Sequence, residues 1–385
     1  MHLPDYKNGS IVNLVSSIQV ALGGGQPSYG TLSQLTLSKP NTAGSVVLIV
    51  IDGLGHAYLR QRGRGILHGY LVDRITSVFP STTASAITSF FTGTAPQQHA
   101  LTGWFTYFKE LGAVAAPLPF RRRSSKISLT DAGVDARKLF DQPSMFERID
   151  TPSHIVLPAD IVESEYTTAH SGSAERWAYT SLEWCFRVIE KIIRCGSSRQ
   201  YIYAYWPEFD TLAHKYGTQS KEVTEHFDQL DTAFACFLDR IEGSGTTVVV
   251  TADHGFIDTG PDRLVELESH PELASTLALP LCGEPRVAFC YVHPERHQRF
   301  KEYVEDRLGY CAEIYRSEQL VEQGFFGLGK PNPRLLDRIG HYALVMKDRY
   351  VIKDWIVGER RYEHIGVHGG VSEEEMYVPL IVVQT

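Results

Sequence analysis

The stretch Val46-Val-Leu-Ile-Val-Ile-Asp52-Gly53 decides how this chain folds. Six consecutive apolar residues end abruptly in a carboxylate and a glycine. A short apolar run of this kind is typical of a parallel strand that is buried on both faces. Asp52 then lies at the carboxyl edge of a sheet, where ligands of open α/β sheets bind. Taken alone, Asp52 is also compatible with a simple helix-capping role.

The same pattern occurs twice more along the chain. Tyr201-Ile-Tyr-Ala-Tyr205 precedes Asp210, and Thr246–Ala252 precedes Asp253-His254-Gly255. Apolar residues at helical spacing predict helices over Glu175–Arg194 and Lys221–Glu242. The sequence therefore predicts an α/β fold with a mostly parallel central sheet.

Residues 260–365 differ in character, because short strand-like runs there alternate with charged helical segments. We predict an inserted α+β cap subdomain over 260–365. The catalytic core would consist of residues 1–259 and 366–385.

Composition limits the possible functions. The chain has 385 residues, of which 43% are hydrophobic and 21% charged, and a formal net charge of −8. This charge gives no reason to expect a nucleic-acid polymer as partner. Neither a signal-peptide core nor a membrane-spanning stretch is found, so we expect a cytoplasmic protein. The six cysteines form no CxxC pair and are expected to be free thiols.

The basic cluster Arg121–Arg123 is either a solvated loop or an aid in holding an anionic substrate. The oligomeric state is left open.

Acidic and histidine side chains gather where the apolar segments stop. They are Asp52, Asp210, His214, Asp253, His254 and His368. Such ligands suit Zn²⁺, although Mn²⁺ also fits Asp/His sites. Six ligands divide into two sites of three, and two metals about 3.5–4 Å apart can clamp a phosphoryl group during in-line displacement.

A hydroxyl-bearing segment, Ser81-Thr82-Thr83, precedes an apolar helix that should end at Gly93. A hydroxyl at a helix N-terminus is a candidate nucleophile, because a bound metal and the helix end both favour its anionic form. Simple helix capping is the alternative explanation.

Together these segments resemble the alkaline phosphatase superfamily, in its nucleotide pyrophosphatase/phosphodiesterase branch. The matching motifs are Ile51-Asp52-Gly53, Phe79-Pro-Ser-Thr-Thr83 with Thr92-Gly93, Asp210-x-x-x-His214-Lys-Tyr-Gly217, Thr251-Ala-Asp253-His254-Gly255 and His368-Gly369. They cover residues 45–105, 200–256 and 366–385, and leave out the cap. The resemblance implies an alkaline-phosphatase-like three-layer α/β/α core and a two-zinc hydrolase.

The resemblance also implies a role for each residue. One zinc would be bound by Asp210, His214 and His368. The other would be bound by Asp52, Asp253, His254 and the nucleophile Thr83, with Thr82 as the alternative nucleophile.

The resemblance also points to three positions that would contact the substrate, and at two of them this sequence departs from the family. Tyr205 matches a position where the family stacks a nucleobase, although a core aromatic is an equal alternative. Ala84 stands where the family often has Phe, and Trp104 stands at or near the position of a phosphate-binding Asn. Both departures affect the expected contacts to a nucleotide substrate and leave the expected metal ligands unchanged.

We therefore expect a small-molecule phosphodiester or pyrophosphate as substrate and a phospho-threonine intermediate. A phosphonate or phosphomonoester hydrolase on the same metals is the alternative, since phosphonoacetate hydrolase has a similar Pro-Ser-x-Thr segment. A non-catalytic protein that binds metal or nucleotide is a third possibility. The sulfatase signature Cys-x-Pro-x-Arg is absent from the sequence.

Overall fold

A seven-stranded central sheet forms the core of the protein. The computed structural model describes residues 1–35, 37, 44–123, 125, 127–196, 198–359, 361 and 364–385. The strands of the central sheet, in chain order, are β1 (Val46–Ile51), β2 (Leu71–Thr76), β3 (Ser153–Pro158), β4 (Glu175–Tyr179), β5 (Tyr201–Trp206), β6 (Thr247–Thr251) and β7 (Tyr377–Gln384).

These strands are arranged in the order β2-β7-β6-β1-β5-β3-β4. Strand β1 pairs in parallel with β5 and β6, and β3 pairs in parallel with β4 and β5. Only β7 is antiparallel to its neighbours, β6 and β2. Every residue of β1 is buried, as a strand at the centre of a parallel sheet requires. The predicted α/β fold with a mostly parallel sheet is confirmed.

Helices lie on both faces of this sheet and also within residues 260–365. The longer ones are α1 (Ile11–Ala21), α2 (His56–Arg62), α3 (Thr83–Thr92), α4 (Leu182–Cys195), α5 (Glu208–Tyr216), α6 (Lys221–Arg240) and α7 (His297–Tyr303). The shorter ones include Ile66–Gly69, Pro96–His99, Ala136–Leu139, Glu165–His170, Pro271–Ala274, Ser317–Glu322, Leu335–Arg338 and Glu373–Met376.

The alternation of side chains along β5 shows which helix lies on which face. The ring of Tyr203 lies 5.0 Å from that of Phe91 in α3, centroid to centroid. Trp206 points to the other face and stacks on His226 of α6 at 5.9 Å. Because residues three apart along a strand face opposite sides, α3 and α6 enclose the sheet between them.

The predicted helix over Glu175–Arg194 is only partly correct. Its first five residues form the edge strand β4, and α4 begins at Leu182. Ser181 caps this helix, since its hydroxyl accepts a hydrogen bond from the backbone N–H of Trp184 at 3.2 Å. Trp177 and Tyr179 are residue types that favour strands, and the exposure of Glu175 together with the burial of Tyr179 suits an edge strand.

A second, antiparallel sheet lies within the region predicted to be the cap. Its strands, in spatial order, are Cys282–Glu284, Val287–Cys290, Tyr342–Met346 and Ala312–Arg316. The chain leaves the core through Ile257–Asp258 and returns through Gly366–Val367, and these two segments pair with each other. A further pair joins Leu264–Glu266 to Val351–Lys353. That residues 260–365 form an independent subdomain stays a prediction.

A three-stranded sheet of the core adjoins the second sheet. Its strands are Thr106–Phe108, Ala113–Ala116 and Arg121–Arg122. Phe105 forms an isolated bridge with Gly283, so the loop that contains Trp104 lies against the edge of the second sheet. Among the described residues, no helix is both long and apolar enough to cross a membrane.

A buried ion pair connects the second sheet to the core. The guanidinium of Arg286 donates from Nε and Nη2 to the two carboxylate oxygens of Glu375, at 3.1 Å each. Both residues are at most 1% exposed. Removing one partner of such a pair leaves a buried charge without compensation.

We expect Glu375→Ala to lower the free energy of unfolding by about 3–5 kcal/mol, because Arg286 would keep its buried charge. Chemical denaturation followed by circular dichroism measures this loss. The matched control is Glu373→Ala on the same short helix, where the partner Arg74 is exposed and the loss should be much smaller. Equal losses in the two variants would contradict this account.

Candidate metal centre

Three aspartates meet at the carboxyl edge of the central sheet. Asp52 follows β1 and Asp253 follows β6, while Asp210 lies in the first turn of α5, just after β5. The backbone N–H of Gly53 donates to Asp253 Oδ1 at 3.0 Å, which links two of the strand ends. Only glycine fits at position 53, since φ is +75° and an added Cβ would lie 2.3 Å from the Phe256 ring.

Two histidines and Asp210 form a first group of ligand atoms. His214 Nε2 lies 3.4 Å from Asp210 Oδ1. His368 Nε2 lies 3.2 Å from His214 Nε2 and 3.8 Å from Asp210 Oδ1. The i, i+4 spacing in α5 brings Asp210 and His214 to the same helix face, as the sequence predicts.

A second group lies beside the first. His254 Nε2 is 3.3 Å from Asp52 Oδ1 and 3.4 Å from Asp253 Oδ2. The rings of His254 and His368 stack at 3.7 Å, so the two groups share a boundary. The six residues predicted as metal ligands thus lie close together. Ligand atoms of Asp52, Asp253 and His254 lie within 4.8 Å of one another, as do those of Asp210, His254 and His368. How the six residues divide between two metal ions stays a prediction.

Backbone carbonyl groups orient two of these histidines. His214 Nδ1 is 2.8 Å from the carbonyl oxygen of Gly366, and His254 Nδ1 is 3.1 Å from that of Gly255. An Nδ1–H that donates to a carbonyl leaves the lone pair on Nε2, which points to the centre. This is the arrangement that metal-binding histidines usually have.

The donor atoms of this centre fit divalent cations. Asp52 Oδ1, Asp210 Oδ1 and Asp253 Oδ2 are buried without a hydrogen-bond partner. Burial, reinforced by neighbouring carboxylates, raises the pKa of Asp52 and of Asp210. Burial also lowers the pKa values of all three histidines. Carboxylates that lack a partner and neutral imidazoles are the groups that a metal ion binds, releasing protons as it does so.

The hydroxyl next to the second group belongs to Thr83. Its Oγ1 lies 3.1 Å from His254 Nε2, and the residue is partly exposed at the first position of α3. Thr82 is buried and donates its hydroxyl to Glu284 Oε1 at 2.6 Å instead. Gly93 ends the helix with φ of +63°, as the sequence predicts.

The residues predicted to contact substrate take three different positions. Tyr205 is 9% exposed and donates its hydroxyl to Asp52 Oδ2, so it orients the carboxylate of that candidate ligand. Ala84 is fully buried and presents no surface to a ligand. Trp104 is 38% exposed and lies at the opening of the site.

Two cavities open onto the metal centre. The larger has about 1060 Å³, and the smaller about 610 Å³. Both are lined by Thr83, Trp104 and Asp210. The candidate nucleophile therefore lies where the two cavities meet.

The basic cluster lies on the wall of the smaller cavity. Arg121 and Arg122 are exposed there, while Arg123 is paired with Asp354 at 2.7 Å and with Glu359 at 2.8 Å. The sequence offered two interpretations of this cluster, a solvated loop and an aid in holding an anionic substrate. Neither fits all three arginines, because the side chain of Arg123 is buried in structural ion pairs.

Sequence reasoning missed Glu284. This residue belongs to the second sheet, yet it is buried beside the metal centre and lines the smaller cavity. Burial raises its pKa to about 7. A single glutamate before a proline carries no local signal of such a position, since only the packing of the second sheet onto the core brings it there.

We expect purified protein with added Zn²⁺ to hold two ions per chain and Asp52→Asn to hold about one. Zinc should raise the free energy of unfolding by ~2.7 kcal/mol per site at a hundred times the dissociation constant. Elemental analysis and denaturation with and without a chelator measure both effects. Asp228→Asn, an exposed surface change, is the control. Unchanged zinc content in Asp52→Asn would contradict the ligand set.

Comparisons with known proteins agree with this geometry. A family model for type I phosphodiesterase/nucleotide pyrophosphatase matches residues 46–370. Human bis(5'-adenosyl)-triphosphatase is 33% identical over 70 residues, which is 17% of this chain. That match spans only 16% of the length of the human protein.

Two solved structures share the fold. Murine ectonucleotide pyrophosphatase/phosphodiesterase 5 superposes with a TM-score of 0.66 at 15% identity, covering 87% of each chain. Phosphonoacetate hydrolase from Sinorhizobium meliloti 1021 superposes with a TM-score of 0.62 at 17% identity, covering 88% of this chain and 89% of the other. Because the family model covers most of the sequence, this chain belongs to the type I phosphodiesterase/nucleotide pyrophosphatase family, a class of metal-dependent phosphoester hydrolases, as its motifs predicted.

Proposed function

We propose that this protein hydrolyses phosphodiester or pyrophosphate bonds of small nucleotide-like molecules with two divalent metal ions, zinc in the first instance. Family membership supports the reaction class. The observation that carries the proposal is the position of Thr83. Its hydroxyl lies beside His254 of the second ligand group, and Thr83 lines both cavities. The cytoplasmic location expected from the sequence stays a prediction.

The two cavities favour a substrate with groups on both sides of phosphorus. In an in-line displacement, the nucleophile and the leaving group lie on opposite sides of the phosphorus atom. A diester or pyrophosphate has a second substituent that can occupy the other cavity, whereas a monoester lacks one. Cavities of a few hundred to a thousand Å³ suit ligands of nucleotide size.

The larger cavity has the lining expected for an aromatic group. Its wall includes Phe91, Leu157 and Trp206, together with Tyr205. Trp104 adds an exposed ring at the entrance. One solved structure of the similar murine protein is an inactive variant in complex with AMP, which supports a nucleotide-like ligand. We propose that Tyr205 and Trp104 contact the substrate; Ala84 is buried and is not placed to do so.

The N-terminus of α3 is suited to hold a phosphoryl oxygen. Its first-turn N–H groups do not donate to the side chain of Thr82, whose hydroxyl is directed to Glu284. Uncapped N–H groups at the start of a helix attract anions. The phosphoryl group would therefore lie directly above the hydroxyl of Thr83.

Residues of the chain would then carry out two displacements. The six Asp and His ligands would hold two cations, which lower the pKa of the Thr83 hydroxyl and neutralise charge on the phosphoryl oxygens when bound. Thr83 Oγ1 forms a bond to phosphorus as the bond to the leaving oxygen breaks, and that oxygen keeps the electron pair. Water then attacks the phosphorus of phospho-Thr83 and regenerates the hydroxyl, so that each turnover consumes one water molecule.

Thr83→Ala should reduce turnover more than about 1,000-fold, because the covalent route loses its nucleophile. Zinc content should stay near the wild-type value, since all six Asp and His ligands remain. Steady-state kinetics and elemental analysis on the same preparation measure both. Thr82→Ala is the matched control and should keep measurable turnover. The nucleophile would be misassigned if Thr83→Ala were active and Thr82→Ala inactive.

A phosphonate or phosphomonoester hydrolase is the second candidate. The fold shared with phosphonoacetate hydrolase and the exposed Arg121 and Arg122 on the smaller cavity favour it. The two functions differ in the charge and the number of substituents on phosphorus.

A panel of three substrates separates the two candidates. We expect kcat/KM for bis(p-nitrophenyl) phosphate to exceed that for p-nitrophenyl phosphate and for phosphonoacetate by at least about tenfold, because only the diester can occupy both cavities. A higher value for phosphonoacetate would support the second candidate. Zinc-loaded protein that hydrolyses none of the three would instead support a non-catalytic role.

A further inference from the structure

Glu284 is a carboxylate of the second sheet that reaches the metal centre of the core. It is 8% exposed and lines the smaller cavity together with Thr83 and Asp210. Its Oε1 accepts hydrogen bonds from Thr82 Oγ1 at 2.6 Å and from the backbone N–H of Trp104 at 2.7 Å. Both of these bonds end on Oε1.

The position of Glu284 is fixed from a third side by Gly369. A Cβ at position 369 would lie 2.6 Å from the Cβ of Glu284, and Gly369 has φ of +106°. The residue before it is the metal-ligand candidate His368. Glu284 therefore packs between the start of α3, the Trp104 loop and the His368 turn, and it has little freedom to move away from the phosphoryl site.

The charge of Glu284 adds to that of the aspartates. Two divalent cations would exceed the three aspartate charges by one positive charge. An ionised Glu284 offsets that excess at the ligand groups, so a dianionic phosphoryl group would meet less positive charge there, although Arg121, Arg122 and Lys353 also line the cavity. Charges within a few ångströms of each other, at the effective dielectric of a protein site, change binding by about tenfold or more.

We propose that Glu284 is a specificity-determining residue that disfavours dianionic terminal phosphates and so selects monoanionic phosphodiesters. This inference rests on the proposed function and adds the charge class of the substrate. The geometry assigns two tasks to the side chain. Oε1 holds Thr82 and Trp104 in place, and the negative charge screens the phosphoryl group.

Glu284→Gln separates these two tasks, because glutamine keeps an acceptor oxygen of the same reach while a neutral NH2 group replaces the second oxygen and the charge is lost. Zinc-loaded wild type and variant are compared at pH 8.5 with bis(p-nitrophenyl) phosphate and p-nitrophenyl phosphate. We expect the ratio of kcat/KM for monoester over diester to rise at least about tenfold, with the diester value changed less than about threefold. Glu284→Asp keeps the charge and should keep the wild-type ratio. Glu318→Gln, an exposed change in the same region, is the surface control.

A binding measurement does not depend on turnover. Inorganic phosphate, a dianion at pH 8.5, should bind zinc-loaded Glu284→Gln about tenfold more tightly than wild type by calorimetry. An unchanged substrate ratio together with unchanged phosphate binding would overturn the inference. Should the variant fail to fold, a wild-type enzyme that prefers the monoester would also overturn it.

The outcomes distinguish this inference from the proposed function. If wild type hydrolyses the diester and Glu284→Gln changes neither the substrate ratio nor phosphate binding, only the role of Glu284 is wrong. If wild type hydrolyses neither substrate, the proposed function fails, and phosphate binding alone then decides whether Glu284 excludes dianions.

Discussion

The concentration of negative charge at one buried edge of the sheet is the constraint on which the rest of the site depends. β1 lies between β5 and β6, and the segments that follow these three adjacent strands bring Asp52, Asp210 and Asp253 together. One oxygen of each carboxylate is buried without a hydrogen bond. Buried negative charge without a counter-charge is costly, so cations bound at these oxygens would stabilise the arrangement. Around this charge lie the three candidate histidine ligands, the start of α3 and the second sheet.

The second sheet contributes to the site through Arg286, which pairs with Glu375 of the core, and through Glu284. The backbone carbonyl of Glu375 accepts from the N–H of Gly255, and its side chain accepts from the N–H of Gly370, both at 2.8 Å. Glu375 thereby ties the turn after His254 to the turn after His368, while Arg286 of the second sheet holds its carboxylate. Glu284 contacts the same centre from the other side. The segment between the two core portions thus both supports the metal ligands and shapes the smaller cavity.

Much of the fold and of the ligand set could be predicted from the sequence because the signals are local. An apolar run that ends in Asp52-Gly53 or Asp253-His254 specifies both a buried strand and a candidate ligand at its carboxyl end. The edge strand β4 was predicted as a helix because the apolar residues of 175–194 suit both periods, and the cap at Ser181 was overlooked. Glu284 could not be predicted, since its role depends on packing between residues far apart in sequence. The hydrogen bond from Tyr205 to Asp52 depends in the same way on the pairing of β5 with β1.

Crystals of the zinc-loaded protein, measured at the zinc absorption edge, test the central claim most directly. The account predicts two anomalous peaks about 3.5–4 Å apart. One should lie among Asp210, His214 and His368, and the other among Asp52, Asp253 and His254 with Thr83 beside it. A single peak midway between the two groups, or peaks bound to other residues, would contradict the account.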